Sequence, residues 1–372
     1  DGNAGFNIRG LEGNRVLLTV DGIRMPREMV SGTLGSAAFG RDYFDLGLIS
    51  RVEILRGGNS ALYGSDGLAG MVAMFTTRPS DILTGQQTVG GRVLASYASE
   101  DGMKRVGATV AGKPNDTVQW LIGGTVARSK ALDNMGTNTA LNSSRTAPNP
   151  QKDAQAALLG KVVLTPGGGQ AHTFTVEHVD KSSDVEAYTG RARTTGRTPA
   201  TSWDVTDLDG TTDTARSRLS WDARFKTGNA WSDEVRAMVA VQKADSREVA
   251  LEKRTSLSNV ALPLRVRDVT YKENVSQLVL QAEKTLPLAA GWTQRLVYGL
   301  DVSATRMDNL VTGTEPPSYE RYPLKRFPAT TERQTALFVQ SELVSDRWSV
   351  VPALRYDRFQ LNASNDALYP LN

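Results

Sequence analysis

Few residues in this chain are equipped for covalent or metal chemistry. Cysteine is absent, and His172 and His178 are the only histidines. They lie six apart on an alternating segment, so they share a face, with Phe174 and Val176 between them. At about 3.3 Å per residue they stand roughly 20 Å apart and cannot share a metal ion. Thr173, Thr175 and Glu177 line the opposite face, which suits water, so the histidines are expected on the apolar side. The stretch from Asp204 through Asp207, Asp209 and Gly210 to Asp213 is acidic enough to suggest calcium. It fails the EF-hand register, because with Gly210 at the glycine position Val205 and Arg216 fall at positions one and twelve. A solvated loop is expected there. Gly57, Gly64, Gly67 and Gly70 are not followed by Gly-Lys-Ser/Thr, so they read as turn and close-approach glycines rather than a phosphate loop. No Gly-x-Ser-x-Gly and no His-Glu-x-x-His occurs, and few general bases are available, so the chain is not read as an enzyme.

The elements that must position any site fall into two regions. Residues 1–80 read as a small α/β domain. Arg15–Gly22 is an apolar strand closed by Asp21-Gly22, Leu48–Leu55 is a second, and Gly67–Thr77 is a third that Pro79 ends. Ser60–Gly64 reads as a helical turn. From residue 86 to 372 the grammar is that of long alternating strands. In Thr214–Phe225 one face carries Ala215, Ser217, Leu219, Trp221, Ala223 and Phe225, and the other carries Arg216, Arg218 and Arg224. Such a strand needs a wet side and a greasy side. Tight turns at Lys113–Asp116, Pro166–Gly169, Thr227–Ala230, Leu288–Gly291 and Ser345–Arg347 alternate with long polar connections near 129–154, 183–212, 249–267 and 309–330. Trp120, Trp231, Trp292 and Trp348 each follow a tight turn, and Trp221 precedes one. Short turns at one end, long loops at the other and an aromatic girdle are the marks of a transmembrane antiparallel β-barrel.

Eleven strands are expected, at roughly 88–98, 104–113, 117–128, 155–165, 170–182, 213–226, 231–248, 268–286, 292–308, 331–344 and 348–361. An odd number leaves an edge in lipid, so the chain is expected to be part of a longer protein, with material missing from both ends. Lys+Arg 43 against Asp+Glu 40 is too balanced for a nucleic-acid partner. Mean hydropathy is −0.33, and no run of about 18 apolar residues marks a helical membrane span.

A small domain preceding a barrel resembles the TonB-dependent outer-membrane receptors, and three ordered motifs carry the resemblance. They are Ile8-Arg9-Gly10, Val16–Asp21-Gly22-Ile23-Arg24, and Val52-Glu53 through Arg56-Gly57 to Leu62-Tyr63-Gly64, Gly67 and Gly70. Gly58 departs from the proline common after Arg-Gly. The resemblance implies a plug over 1–80, lacking its N-terminal part and TonB box, and the first half of a 22-stranded barrel over 86–372. It implies active import powered by the TonB–ExbB–ExbD complex, in outer-membrane lipid. The segment Asn14–Arg24 is most similar to the haem and haemoglobin receptor subgroup, so haem, taken free or from a haem-carrying protein, is the expected cargo. No permanently bound cofactor is expected. A ferric siderophore is the alternative cargo, and a passive porin or a soluble β-rich binding domain are more distant alternatives.

The resemblance also places candidate contacts. Plug-apex residues Met25, Met29, Tyr43 and Phe44 would face the ligand, with Tyr43, Met25 or Met29 standing in for an absent apex histidine. In the long loops, Tyr188, Trp203, Tyr319, Arg321 and Tyr322 would touch it. Arg9 and Arg56 are the expected plug–barrel lock, since a guanidinium offers a bidentate fork to a barrel carboxylate.

Overall fold

The computed structural model describes every residue except 1–4, 31–37, 40, 58–63, 65–66, 319 and 370–372. The first region is built on strands β1 (Val16–Val20), β2 (Ile23–Arg24), β5 (Ile49–Arg56) and β6 (Gly70–Thr76), ordered β2-β1-β6-β5. A separate two-residue ribbon joins β3 (Met29–Val30) to β4 (Ala38–Phe39). β1 runs parallel to β6, from Val16↔Gly70 to Val20↔Met74, while β2 and β5 are antiparallel to their neighbours. Asp21 and Gly22 turn β1 into β2 with φ of 53° and 85°. This is the two-residue hairpin geometry that Asp-Gly tolerates best.

All five residues of β1 are buried. Val16, Leu18 and Val20 pack with Val72, Met74, Met25 and Tyr43, and Ala244 of the barrel joins the same core. Leu48 and Ile82 pack against Ala111, Leu121, Ala157, Leu159 and Val179 of the barrel wall. Among the described residues, the helical segments of the first region are short 3-10 turns. The barrel wall supplies the apolar cover that a helix layer would otherwise provide. Of the expected helical turn at 60–64, only Gly64 lies within the described residues.

The second region is one antiparallel sheet of thirteen strands. It comprises β7 (Val89–Tyr97), β8 (Lys104–Gly112), β9 (Val118–Lys130), β10 (Gln151–Gly167), β11 (Gln170–Glu186), β12 (Arg193–Thr194), β13 (Trp203–Lys226), β14 (Glu234–Ser256), β15 (Arg265–Pro287), β16 (Thr293–Thr314), β17 (Thr330–Val344), β18 (Ser349–Val350) and β19 (Ala353–Ala363). β12 and β18 are two residues long, which leaves eleven long strands, each hydrogen-bonded to the next in chain order. Side chains alternate as the sequence implies. Leu158, Val176 and Leu219 stand on the outer face, while Leu159, Glu177 and Arg218 are buried inside. His172 and His178 share the outer parity, and His172 stacks on Trp221.

Two expectations are corrected. The arginine face of β13 is packed rather than wet, with Arg216 and Arg218 only 1% and 2% exposed. The acidic stretch Asp204–Asp213 is strand rather than loop. Two of its four carboxylates are matched across neighbouring segments, Asp204 to Arg193 and Asp207 to both Arg191 and Lys253, and the ladder continues to Trp203↔Ser256. The 24 residues of β13 reach about 80 Å at roughly 3.3 Å each. A tilted spanning strand needs only about 9–11 residues, so the loop ends of β13 and its neighbours stand well clear of the apolar band.

Gly70 adopts φ of 140°, and a Cβ there would drive into the Leu55 carbonyl oxygen. Gly70→Ala is therefore expected to lower the stability of the β5–β6 pairing by about 2 kcal/mol or more. Limited proteolysis across residues 49–76 checks this, and a cleavage rate equal to wild type would contradict the close approach.

Candidate functional site

The polar contacts between the plug and the barrel concentrate on two short plug segments, 21–27 and 41–45. The hairpin turn presents the Asp21 carboxylate to the wall. Its Oδ1 accepts the Thr76 amide at 3.0 Å and its Oδ2 accepts the Thr76 hydroxyl at 2.6 Å. Oδ2 also accepts from Arg218 Nη2 at 2.9 Å and lies 3.7 Å from Lys161 Nζ. Arg218 Nη1 donates to the Val20 carbonyl at 3.0 Å, and Lys161 donates to the Thr76 carbonyl at 3.1 Å. Behind this contact, Glu177 is shared between Arg216 at 2.7 Å and Arg218 at 2.8 Å. Arg216 Nε donates to the Tyr43 carbonyl at 2.7 Å. β1–β6 and the Tyr43 segment therefore rest on one ionic seat made by β10, β11 and β13.

The seat continues around the lumen. Arg24 Nη2 donates to Asp301 at 3.1 Å, and Arg355 reaches the same carboxylate at 3.6 Å. Arg24 also bonds Gln334, and its amide donates to Gln277 at 3.3 Å. Arg27 grips Glu332 with two parallel bonds of 2.7 and 2.6 Å, the bidentate fork suited to a carboxylate. Its amide donates to Glu273, which also accepts from the Tyr271 hydroxyl. On the other side Asp42 pairs with Lys181 at 2.6 Å, and Asp45 lies 3.6 Å from Arg105. A cavity of about 380 Å³ opens between the β1–β2 hairpin and the wall, lined by Arg24, Arg236, Gln277, Glu283 and Asp301 among others.

Burial raises the Asp21 pKa, but Arg218, Lys161 and the Thr76 hydrogen bonds outweigh it and hold the carboxyl well below the usual range. Burial also pushes the Tyr43 hydroxyl up to about 12, so the side chain is a neutral phenol.

The residues expected at the site are distributed differently. Tyr43, Met25 and Met29 are 2%, 3% and 8% exposed, placed between plug and wall rather than open to a ligand. The Tyr43 hydroxyl bonds Ser246 at 2.5 Å. Met29 packs with Tyr271, Val311 and Tyr322, which joins one apex residue to one loop residue. Phe44 is half-buried and stacks on Phe6. Tyr188 lies beneath the guanidinium groups of Arg145 and Arg191, and Trp203 beneath those of Arg254 and Arg265. Arg321 is exposed, and Tyr319 lies outside the described residues. Arg9 and Arg56 are exposed, and neither is ion-paired among the described residues. The guanidinium–carboxylate locks seen here run through Arg24, Arg27 and Asp21 instead. The wall side of the seat had a visible trace in the sequence: Arg218, which takes Asp21, and Arg216 and Glu177 behind it sit on inner faces of alternating strands.

Glu177→Ala would leave two buried guanidinium groups without their shared carboxylate, a loss of about 3–5 kcal/mol for a broken buried pair. Faster hydrogen exchange of the β1 amides in the full-length protein is the expected readout, and unchanged protection would contradict the seat. The Asp21 contribution is present above the ordinary carboxylate pKa of about 3.9 and is lost as pH falls through its much lower folded value. β1 protection should therefore be the same at pH 7 and pH 5.

Two family models match this chain: the TonB-dependent receptor plug domain over residues 1–71, and the TonB-dependent receptor-like β-barrel over residues 158–370, more than half of the chain. The hemin receptor of Yersinia enterocolitica is 36% identical over 109 residues, covering 29% of this chain and 15% of that protein. The vitamin B12 transporter BtuB of Vibrio vulnificus is 31% identical over 141 residues, covering 38% of this chain and 21% of that protein. Among solved structures, the Serratia marcescens hemophore receptor HasR, in complex with its hemophore HasA and heme, superposes with a TM-score of 0.68 at 19% identity. That match covers 97% of this chain and 47% of HasR. The ferric enterobactin receptor PfeA of Pseudomonas aeruginosa, bound to enterobactin, gives 0.62 at 15% identity, covering 96% of this chain and 53% of PfeA. The chain thus spans about half the length of the structures it matches.

Proposed function

This chain belongs to the TonB-dependent receptors, and from that premise we propose that it forms the plug and part of the barrel of an active importer for haem. The division proposed is a plug over 1–80 and barrel strands over 86–372. The observation that carries import over passive diffusion is the ionic seat. A plug held by Asp21, Arg24 and Arg27 blocks the lumen, yet each tie is a charge pair that water can solvate when the plug moves. The proposed cycle begins with ligand at the loop ends. Tension from the TonB–ExbB–ExbD complex then loosens the seat, and the ligand passes along the polar inner wall.

Haem as cargo is supported by the likeness to the hemin receptor and by the fold shared with HasR. The loop-end pairs add chemical support. Tyr188 and Trp203 each lie beneath two guanidinium groups, a grouping of aromatic and cationic side chains that suits a flat macrocycle carrying carboxylates. Phe44 and Arg321 are proposed as further contacts. A ferric siderophore is the second reading, supported by the fold shared with PfeA.

Titrating haemin into the full-length purified protein should give a saturable Soret shift that a ferric siderophore does not displace. Siderophore binding without a Soret response would overturn the cargo and leave the transporter reading intact. Tyr43→Phe should leave the Soret band unmoved, because the phenol is buried and neutral. A changed band would put Tyr43 on the iron.

A further inference from the structure

The outer face of the wall brings a serine, a histidine and a carboxylate into one hydrogen-bonded chain. Ser217 of β13 and His178 of β11 are direct register partners, and Ser217 Oγ meets His178 Nδ1 at 2.8 Å. On the same strand face, Asp180 Oδ2 lies 2.5 Å from His178 Nε2. A carboxylate can only accept, so Nε2 carries a proton, and the neutral ring leaves the Nδ1 lone pair toward the Ser217 hydroxyl. That is the tautomer a general base needs. The two ring nitrogens are used in the reverse order from the usual serine triad. The roles depend only on which nitrogen is held and which is left open. Ser217 and His178 are 39 residues apart, so no local motif announces the pair. All three groups can be reached: Ser217 is exposed, and the side chains of His178 and Asp180 are 42% and 54% exposed.

The row continues across the sheet. Lys243 of β14 is the register partner of Ser217 on its other side, with its ammonium 3.2 Å from Asp245 and its side chain 63% exposed. A cation beside a nucleophile can stabilise the oxyanion that forms when a carbonyl is attacked. Two residues toward the tight-turn end, about 7 Å along the strands, the outward positions are Val176, Leu219 and Val241, all exposed. Two residues toward the loop end they are Asp180, Ala215 and Asp245. Ser217 thus stands where the apolar band meets a charged rim, with only the small side chain of Ala215 between it and the loop end. A bilayer lipid carries its acyl esters at that boundary between hydrocarbon and headgroup.

We propose that Ser217, His178 and Lys243 hydrolyse the acyl ester of a glycerophospholipid lying against the barrel. Ser217 Oγ attacks the ester carbonyl carbon while His178 Nδ1 takes the hydroxyl proton, and Lys243 faces the oxyanion. The tetrahedral intermediate collapses, the bond from the carbonyl carbon to the glycerol oxygen breaks, and His178 returns the proton to that oxygen. Water from the charged rim then attacks the acyl-Ser217 carbonyl and gives a proton to His178. The fatty acid leaves as Ser217 Oγ takes that proton back. The sum is ester plus water to acid plus alcohol, with no change of oxidation state. Asp180 is a positioning residue that holds the ring. The activity rests on the outer-membrane reading but not on the cargo.

Fatty-acid release from mixed micelles of phosphatidylcholine and detergent, with the full-length purified protein, tests this. The wild type should release fatty acid, and a fluorophosphonate should label Ser217, read by peptide mass spectrometry. Ser217→Ala should abolish both. His178→Ala should lower kcat by about 100-fold or more, and Lys243→Gln by about tenfold or more. Asp180→Asn should lower kcat and leave KM unchanged, a split that loss of a merely bracing contact would not give. No release by the wild type, or full release by Ser217→Ala or His178→Ala, would overturn the proposal. So would turnover of a soluble short-chain ester without release from phospholipid, which removes the lipid substrate. Heat-modifiable gel mobility reports folding. If the variants misfold, labelling of the wild type decides, and an unlabelled Ser217 overturns the proposal equally. A haemin titration of Ser217→Ala, expected to match wild type, reads the cargo separately.

Discussion

The Glu177 carboxylate, shared by Arg216 and Arg218 and buried with them, is the contact on which the arrangement of this chain turns. It fixes two guanidinium groups on the inner face of β13, and one of them takes Asp21 while the other takes the Tyr43 carbonyl. Without that anchor Arg216 would lose its carboxylate and Arg218 would keep only that of Asp21. The Asp-Gly hairpin, the burial of β1 and the closeness of Thr76 to the wall all depend on this geometry. Arg24 and Arg27 then extend the same logic to β15, β16 and β17.

Charge pairs are an expensive way to fill an interior, because desolvating two ions offsets much of their attraction, and an apolar replacement is often as stable. Such pairs suit an interface able to open. An apolar interface exposed to water loses its whole burial energy, whereas separated ions recover hydration. The apolar contacts that remain, such as Leu48 on Leu121 and Ile23 on Met238, are distributed in small clusters. No single continuous core welds the described plug to the wall.

Much of the architecture was legible from the sequence, because a hydrophobic period of two held over ten or more residues fits a half-buried strand and misfits a helix. The strands of the barrel and the orientation of His172 and His178 followed from that period alone. The extent of β13 did not, since Asp204, Asp207 and Asp209 look like loop residues until Arg191, Arg193 and Lys253 are seen beside them. The site was less legible. Arg216 and Arg218 were visible as an arginine face, but their partner Asp21 lies nearly two hundred residues away, where it reads as a turn former. Tyr43 and Met25 carry ligand-like chemistry, and only the folded wall, with Ser246 and Ala244, turns them into core.

The parallel pairing of β1 with β6 has a mechanical meaning. Chain preceding Val16 enters β1 at one end, and the Asp21 anchor sits at the other. A load applied upstream of Val16 therefore runs the length of the strand before it meets the anchor. Because β6 is tied to the wall through Thr76 and Lys161, that load shears the β1–β6 ladder from Val16↔Gly70 to Val20↔Met74 all at once rather than unzipping it pair by pair. The strand acts as a tension rod with its bolt at the far end, rigid up to a threshold and then released in one event.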